Sequence, residues 1–167
     1  IVHGPVASDA RPGLLHSLGL PFVVHGRTLQ DDDSYSWVDV NNRRAFAEAT
    51  RYLIGLGHRR IALVNGWEHM VFARRRREGY EEALREAGIA VDPLLMSSNE
   101  MIEPVGHEAM TAFLASDDPP TAVLVASALS ALGVMGAVRE HGLVPGTDIS
   151  IISYDDKLSF LDIGPDG

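Results

Sequence analysis

A chain of 167 residues with 46% hydrophobic and 22% charged side chains has enough apolar material to bury a core, as one large or two small domains. It contains no cysteine, which excludes disulfides, thiolate metal sites and cysteine nucleophiles, and no apolar run long enough to cross a bilayer. The net charge of −9 opposes the phosphate neutralisation that nucleic-acid binding requires, so this segment alone should bind DNA poorly.

In chain order, short apolar runs alternate with helical periodicity. Ile1 and Val2 open on a strand, a helix is expected around residues 9–18, and strands follow at 22–24 and 37–40. Residues 43–56 carry the stripe Ala45, Phe46, Ala49, Tyr52, Leu53 and Leu56, with Asn41 or Asn42 as N-cap and Gly57 as the stop. A strand at 61–64 leads to a helix over 70–87, striped by Ala73, Tyr80, Ala83, Leu84 and Ala87 and ended by Gly88. Next come a strand at 94–96, a helix at 104–115, a strand at 122–125, a helix over 129–141 with Leu132, Met135 and Val138 inward, and a strand at 149–152. This alternation is the pattern of βα units around a parallel sheet, an α/β fold. The sharpest internal break is Gly55-Leu56-Gly57-His58, where a helix stops and a strand begins at once. The ends, Ile1-Val2 and the loop-like Gly164-Pro165-Asp166-Gly167, suggest a piece of a longer protein. With no charged n-region and cleavage site, the expected compartment is the cytoplasm.

In open parallel α/β sheets ligands bind beyond the carboxyl ends of the strands. Those ends here are His3-Gly4, His25-Gly26-Arg27, Asn65-Gly66, residues 97–100, Ala126-Ser127 and Tyr154-Asp155-Asp156. Neutral hydrogen-bonding groups dominate them, which suits a polyhydroxyl ligand better than a reaction centre. Asp155, at the end of a buried strand, either accepts hydroxyl protons from a sugar or caps the next loop. In the run Arg74-Arg75-Arg76-Arg77, the pairs Arg74/Glu78 and Arg77/Glu81 read as a solvated helix face. Arg76 does not: three after Ala73 and four before Tyr80, it lies on the apolar stripe, either pointing its fork of donors into a cleft or snorkelling structurally. The sequence holds no GxSxG, GxxxxGK[ST], GxGxxG or HExxH motif, since Thr111 stands where His107-Glu108 would need a second histidine. The seven histidines are scattered without metal-ligand spacing, so no enzyme activity, metal or cofactor is expected.

Several stretches resemble the LacI/GalR family of bacterial regulators. Gly55-Leu56-Gly57-His58-Arg59-Arg60-Ile61-Ala62 is similar to its LGHRRIA junction, and Arg76-Arg77-Glu78-Gly79-Tyr80-Glu81-Glu82-Ala83-Leu84 to its RxxGFxxAL helix. Pro120-Thr121-Ala122, Ala131-Leu132-Gly133-Val134-Met135 and Asp148 to Asp156 resemble further segments in the same order, together spanning nearly the whole chain. The resemblance implies a periplasmic-binding-protein-like fold, two lobes of parallel β-sheet flanked by helices, each incomplete in this chain. Residues 1–57 would belong to the first lobe and 58–153 to the second, with 154–167 crossing back. The implied function is the effector-binding and dimerisation core of a LacI-type repressor, with a sugar or related molecule in the interlobe cleft. A helix-turn-helix segment outside the chain would bind operator DNA. A periplasmic sugar-binding protein of a transporter is the competing reading. By resemblance Arg76 and Asp155 contact the effector, and Leu132 falls at a subunit interface of a homodimer or in the core. The pocket departs from the family at His25-Gly26, Phe72, Met101 and Ser127, which suggests a larger α-glucoside or another ligand.

Overall fold

The computed structural model describes residues 1–28 and 35–155. Its elements, in order, are β1 (Val2–His3), α1 (Arg11–Ser17), β2 (Val24–His25), β3 (Trp37–Val38), α2 (Asn42–Gly55), β4 (Ile61–Asn65), α3 (Val71–Glu86), β5 (Met96–Ser98), α4 (Glu103–Leu114), β6 (Ala122–Val125), α5 (Ala128–Glu140) and β7 (Ser150–Ser153). They build two sheets, ordered β1-β2-β3 and β5-β4-β6-β7, in which every strand pair is parallel. The α/β architecture of parallel sheets and helices expected from the alternating pattern is therefore the one observed.

All five residues of β4 are buried, as a strand covered on both faces must be. Successive side chains point to opposite faces, and the two cores follow that alternation. Ala62, Val64, Val123 and Val125 pack with Met110 and Phe113 of α4 and Val134 and Val138 of α5. Ile61, Leu63, Ala122 and Leu124 pack with Phe46 and Leu53 of α2 and Tyr80 and Leu84 of α3. Leaving water contributes about 1.5 to 3 kcal/mol for each fully buried side chain of the size of Leu53 or Phe46.

Phe46 and Leu53 of α2, with Ala45 and Ala49 beside them, thus turn toward the four-stranded sheet, whereas Tyr52 and Leu56, expected on the same stripe, are exposed. Sequence grouping placed this helix with residues 1–57, but its packing joins it to the sheet built from residues 61–153. The helix ends where Gly57 adopts φ +101° and the amide of His58 returns to the carbonyl of Leu53 at 3.2 Å. Asn41 caps the other end by accepting from the Arg44 amide at 3.0 Å.

Several local expectations change, and the strand expected at 22–24 is Val24–His25. Residues 94 and 95 are not strand: Pro93–Leu95 form a 3-10 turn, because Pro93 starts it and Asp92 accepts from the Leu94 amide at 3.0 Å, so β5 begins only at Met96. The third strand is just Trp37–Val38, and Asp39 and Val40 already leave the sheet. Of the expected pairs on α3, Arg77–Glu81 forms at 2.6 Å, with Glu68 as a second partner at 2.8 Å. No Arg74–Glu78 pair forms among the described residues. Of the return crossing over 154–167 only Tyr154 and Asp155 fall among the described residues, and Asp156 lies outside them.

Candidate functional site

The carboxyl ends of strands from both sheets converge on a cleft of about 350 Å³. His3, Gly4 and Pro5 follow β1, His25 ends β2, Asp39, Val40 and Asn42 follow β3, Ala126 and Ser127 follow β6, and Tyr154 and Asp155 follow β7. Phe72 and Arg76 on α3 and Met101 before α4 complete the lining. All six residues singled out in sequence (Arg76, Asp155, Ser127, Phe72, Met101 and His25) line this one cleft.

Arg76 is its centre. The helical spacing that sets it on the apolar stripe leaves it 6% exposed. Its Nε donates to Asn42 Oδ1 at 2.8 Å and its Nη1 to the Ala126 carbonyl at 2.8 Å. The guanidinium carbon lies 3.8 Å from the ring centroid of Tyr154, 4.9 Å from Phe72 and 5.1 Å from Phe46. Such faces attract a cation with their negative quadrupole. Burial pulls the guanidinium below its usual pKa, opposed by Tyr154, Asp155 and Asp39.

The residue before α3 is held by the loop that follows β1. Val6 and Met70 form an antiparallel bridge, and the Val71 amide, which has no partner inside α3, donates to the Pro5 carbonyl at 3.2 Å. The loop behind Pro5 is braced by Asp9, which accepts from the Val6 amide at 3.3 Å and pairs with Arg11. Gly26 takes φ +107°, and a Cβ there would come 2.6 Å from Cδ of Pro5, so the turn after β2 has no room for a carboxylate side chain.

The remaining lining mixes the apolar Pro5, Val40 and Met101 with polar groups. His3 and His25 meet edge to face at 4.6 Å between ring centroids. Ser127 caps α5, accepting from the Ser130 amide at 3.2 Å, so part of its hydroxyl capacity is already used. Asp155 is exposed at the rim. Among the described residues no three His, Asp or Glu side chains converge as a metal centre would require. Donors, acceptors and aromatic faces around one buried cation suit a ligand bearing hydroxyls and an apolar ring face.

Asp39 and Asn42 were not singled out in sequence. The sequence pattern carries the third strand through Asp39 and offers Asn41 or Asn42 as the cap; the structure divides the pair, Asn41 capping α2 and Asn42 turning toward Arg76. The discoverable signal was position, since Asp39 directly follows a strand end. Leu132 is half-buried on α5. No helix among the described residues is long and apolar enough to cross a membrane.

Residues 50–163 match the family model of the periplasmic binding protein-like domain. Over 155 residues the chain is 47% identical to the HTH-type transcriptional regulator AglR of Rhizobium meliloti (strain 1021), covering 93% of this chain and 44% of that protein. It superposes on a regulatory protein of the LacI family from Chloroflexus aggregans with a TM-score of 0.86 at 33% identity, over 95% of this chain and 58% of that one. A transcriptional regulator CelR–cellobiose complex gives a TM-score of 0.84 at 34% identity, over 93% and 48% of the respective chains. The chain spans about half the length of these relatives.

Proposed function

The chain belongs to the periplasmic binding protein-like domain family in its LacI-type form, and from that premise we propose that it is the effector-binding core of a transcriptional repressor acting in the cytoplasm. The observation that carries this reading is the buried, aromatic-caged Arg76 facing a cleft between two parallel sheets. The ligand is a sugar or glycoside. The CelR relative is described in complex with cellobiose, which supports a disaccharide-sized occupant here.

On this reading the first lobe runs through β3, and α2 opens the second, because Phe46 and Leu53 of α2 are buried on the second sheet. The ligand bridges the lobes, with Arg76, Phe72, Met101, Ser127 and Asp155 on one side and His25 on the other. Differential affinity for two lobe arrangements shifts the paired DNA-binding heads of a homodimer, which α5 with Leu132 helps to form. The helix-turn-helix belongs to the longer protein, and the names of the relatives favour this role over delivery to a transporter.

The test is calorimetry on the full chain with cellobiose, maltose and other disaccharides, repeated on Arg76→Ala and Asp155→Ala. Each variant should lose binding by about tenfold or more, since a polar group left without its partner costs about 1 to 3 kcal/mol, more when charged. Unchanged binding in both would sink the site assignment.

A further inference from the structure

We propose that Asn42 is a positioning residue for Arg76, and that by engaging its Nε it turns the cleft toward uncharged polyhydroxyl ligands and away from phosphorylated ones. This rests on the reading of the cleft as the effector site. A guanidinium holds phosphate best through a fork of two free nitrogens, either Nε with one terminal nitrogen or the two terminal nitrogens together. Here the single Nε hydrogen is taken by Asn42, which closes the fork that contains it, and one of the two Nη1 hydrogens is used by the Ala126 carbonyl. The carboxylates of Asp39 and Asp155 line the same cleft and oppose a phosphate dianion, while accepting readily from hydroxyls.

Asn42 is built for this task. It is 2% exposed, and its amide is held in one orientation, with Nδ2 donating to Asp39 Oδ1 at 3.3 Å and to the Val40 carbonyl at 3.2 Å. A flipped amide would set Nδ2 against the Arg76 donor. It is not needed as the helix cap, because Asn41 performs that role. The side chain therefore links the end of β3 in one sheet, through Arg76, to the end of β6 in the other.

The experiment compares wild type, Asn42→Ala and Asn42→Asp in the full chain by calorimetry. Cellobiose and maltose are the neutral probes, and their 6-phosphates the charged ones. Wild type should favour the neutral sugars. Asn42→Ala should lose about tenfold or more for them and narrow the neutral-to-phosphate ratio by a similar factor, while Asn42→Asp, which keeps an acceptor for Nε but adds a carboxylate beside Asp39, should weaken the phosphates further and widen the ratio. A ratio unchanged in Asn42→Ala overturns the specificity claim, and wild type that binds neither class overturns it together with the effector reading. The positioning contact is read without ligand, from hydrogen exchange at the Arg76 Nε–H, assigned by its loss in Arg76→Lys. Slow exchange in wild type supports the contact whether or not a variant folds; exchange as fast as that of exposed arginines overturns it.

Discussion

The carbonyl oxygen of Glu103 stands where a side chain on Gly133 would begin, so that α4 and α5 meet backbone against backbone. A Cβ at Gly133 would overlap that oxygen and lie 2.6 Å from the amide nitrogen of His107. One turn on, a Cβ at Gly136 would meet only His107 Cδ2 at an ordinary 3.5 Å. Gly133→Ala should therefore destabilise the fold by about 3 kcal/mol or more, because both atoms it meets are backbone and the helices must part. Gly136→Ala should fall within about 1 kcal/mol of wild type, on the stabilising side, since alanine favours helix. Urea unfolding midpoints would decide, and equal midpoints would refute the close approach.

Tyr154 covers the Arg76 guanidinium at 3.8 Å, nearer than either phenylalanine. Replacing it by alanine removes one wall of the cage, and a desolvated cation–π contact is worth about 2 kcal/mol. Tyr154→Ala should weaken the best disaccharide ligand by about tenfold or more. Tyr154→Phe, which keeps the ring face, should stay within about threefold. If the two variants lost affinity equally in calorimetry, the ring face would not be what holds the arginine.

Hydrogen bonding to Arg11 lowers the pKa of Asp9 from 3.8 to about 2. Since the folded state favours the carboxylate, this contribution is complete above the ordinary carboxylate pKa and is lost as pH falls from about 5 toward 2. Asp9→Asn should be less stable than wild type at neutral pH, and the gap should close over that acid window. Chemical denaturation at stepped pH measures it. A gap constant from pH 7 to 2.5 would contradict the assignment.

Tyr80 buries its phenol and donates to the Ile61 carbonyl at 2.7 Å, and burial pushes its pKa well above the usual 10. Tyr80→Phe leaves that carbonyl without the phenol as partner, so a loss of about 1 to 2 kcal/mol is expected in urea unfolding. In wild type one tyrosine should resist alkaline titration, followed by ultraviolet absorbance, until the protein unfolds. A Tyr80→Phe protein as stable as wild type would show that water replaces the lost donor.

Much of this arrangement was legible residue by residue. The helix expected at 43–56 is Asn42–Gly55 and that expected at 129–141 is Ala128–Glu140, because helical periodicity and terminal glycines are local signals. Yet α5 buries Ala131, Val134, Ala137 and Val138 rather than the expected Leu132 and Met135, since in a helix apolar nearly all round the neighbours choose the inner face. Arg76 stood out for a local reason also, a charged residue on an apolar stripe. At 94–95 the turn chemistry of Asp92-Pro93 overrides the apolar run, and Asp39 leaves the sheet because the third strand ends two residues before its apolar pattern does. What Arg76 does could not be read the same way. Its partners Asn42 and Ala126 lie 34 and 50 residues away, and nothing in a helix stripe says which distant groups will fill its hydrogen bonds.

Local pattern is enough for the alternating α/β order, the existence and extent of the long helices, the strand ends that carry polar residues and the placement of Arg76 on a buried face. Each of these depends on neighbours within a turn or a strand. Long-range packing sets α2 on the second sheet, divides capping from contact with Arg76 between Asn41 and Asn42, and brings two sheets to one cleft around that arginine. The reason is physical: a stripe specifies that a face must be buried, whereas the surface that buries it is chosen by the fit of elements far apart in the chain.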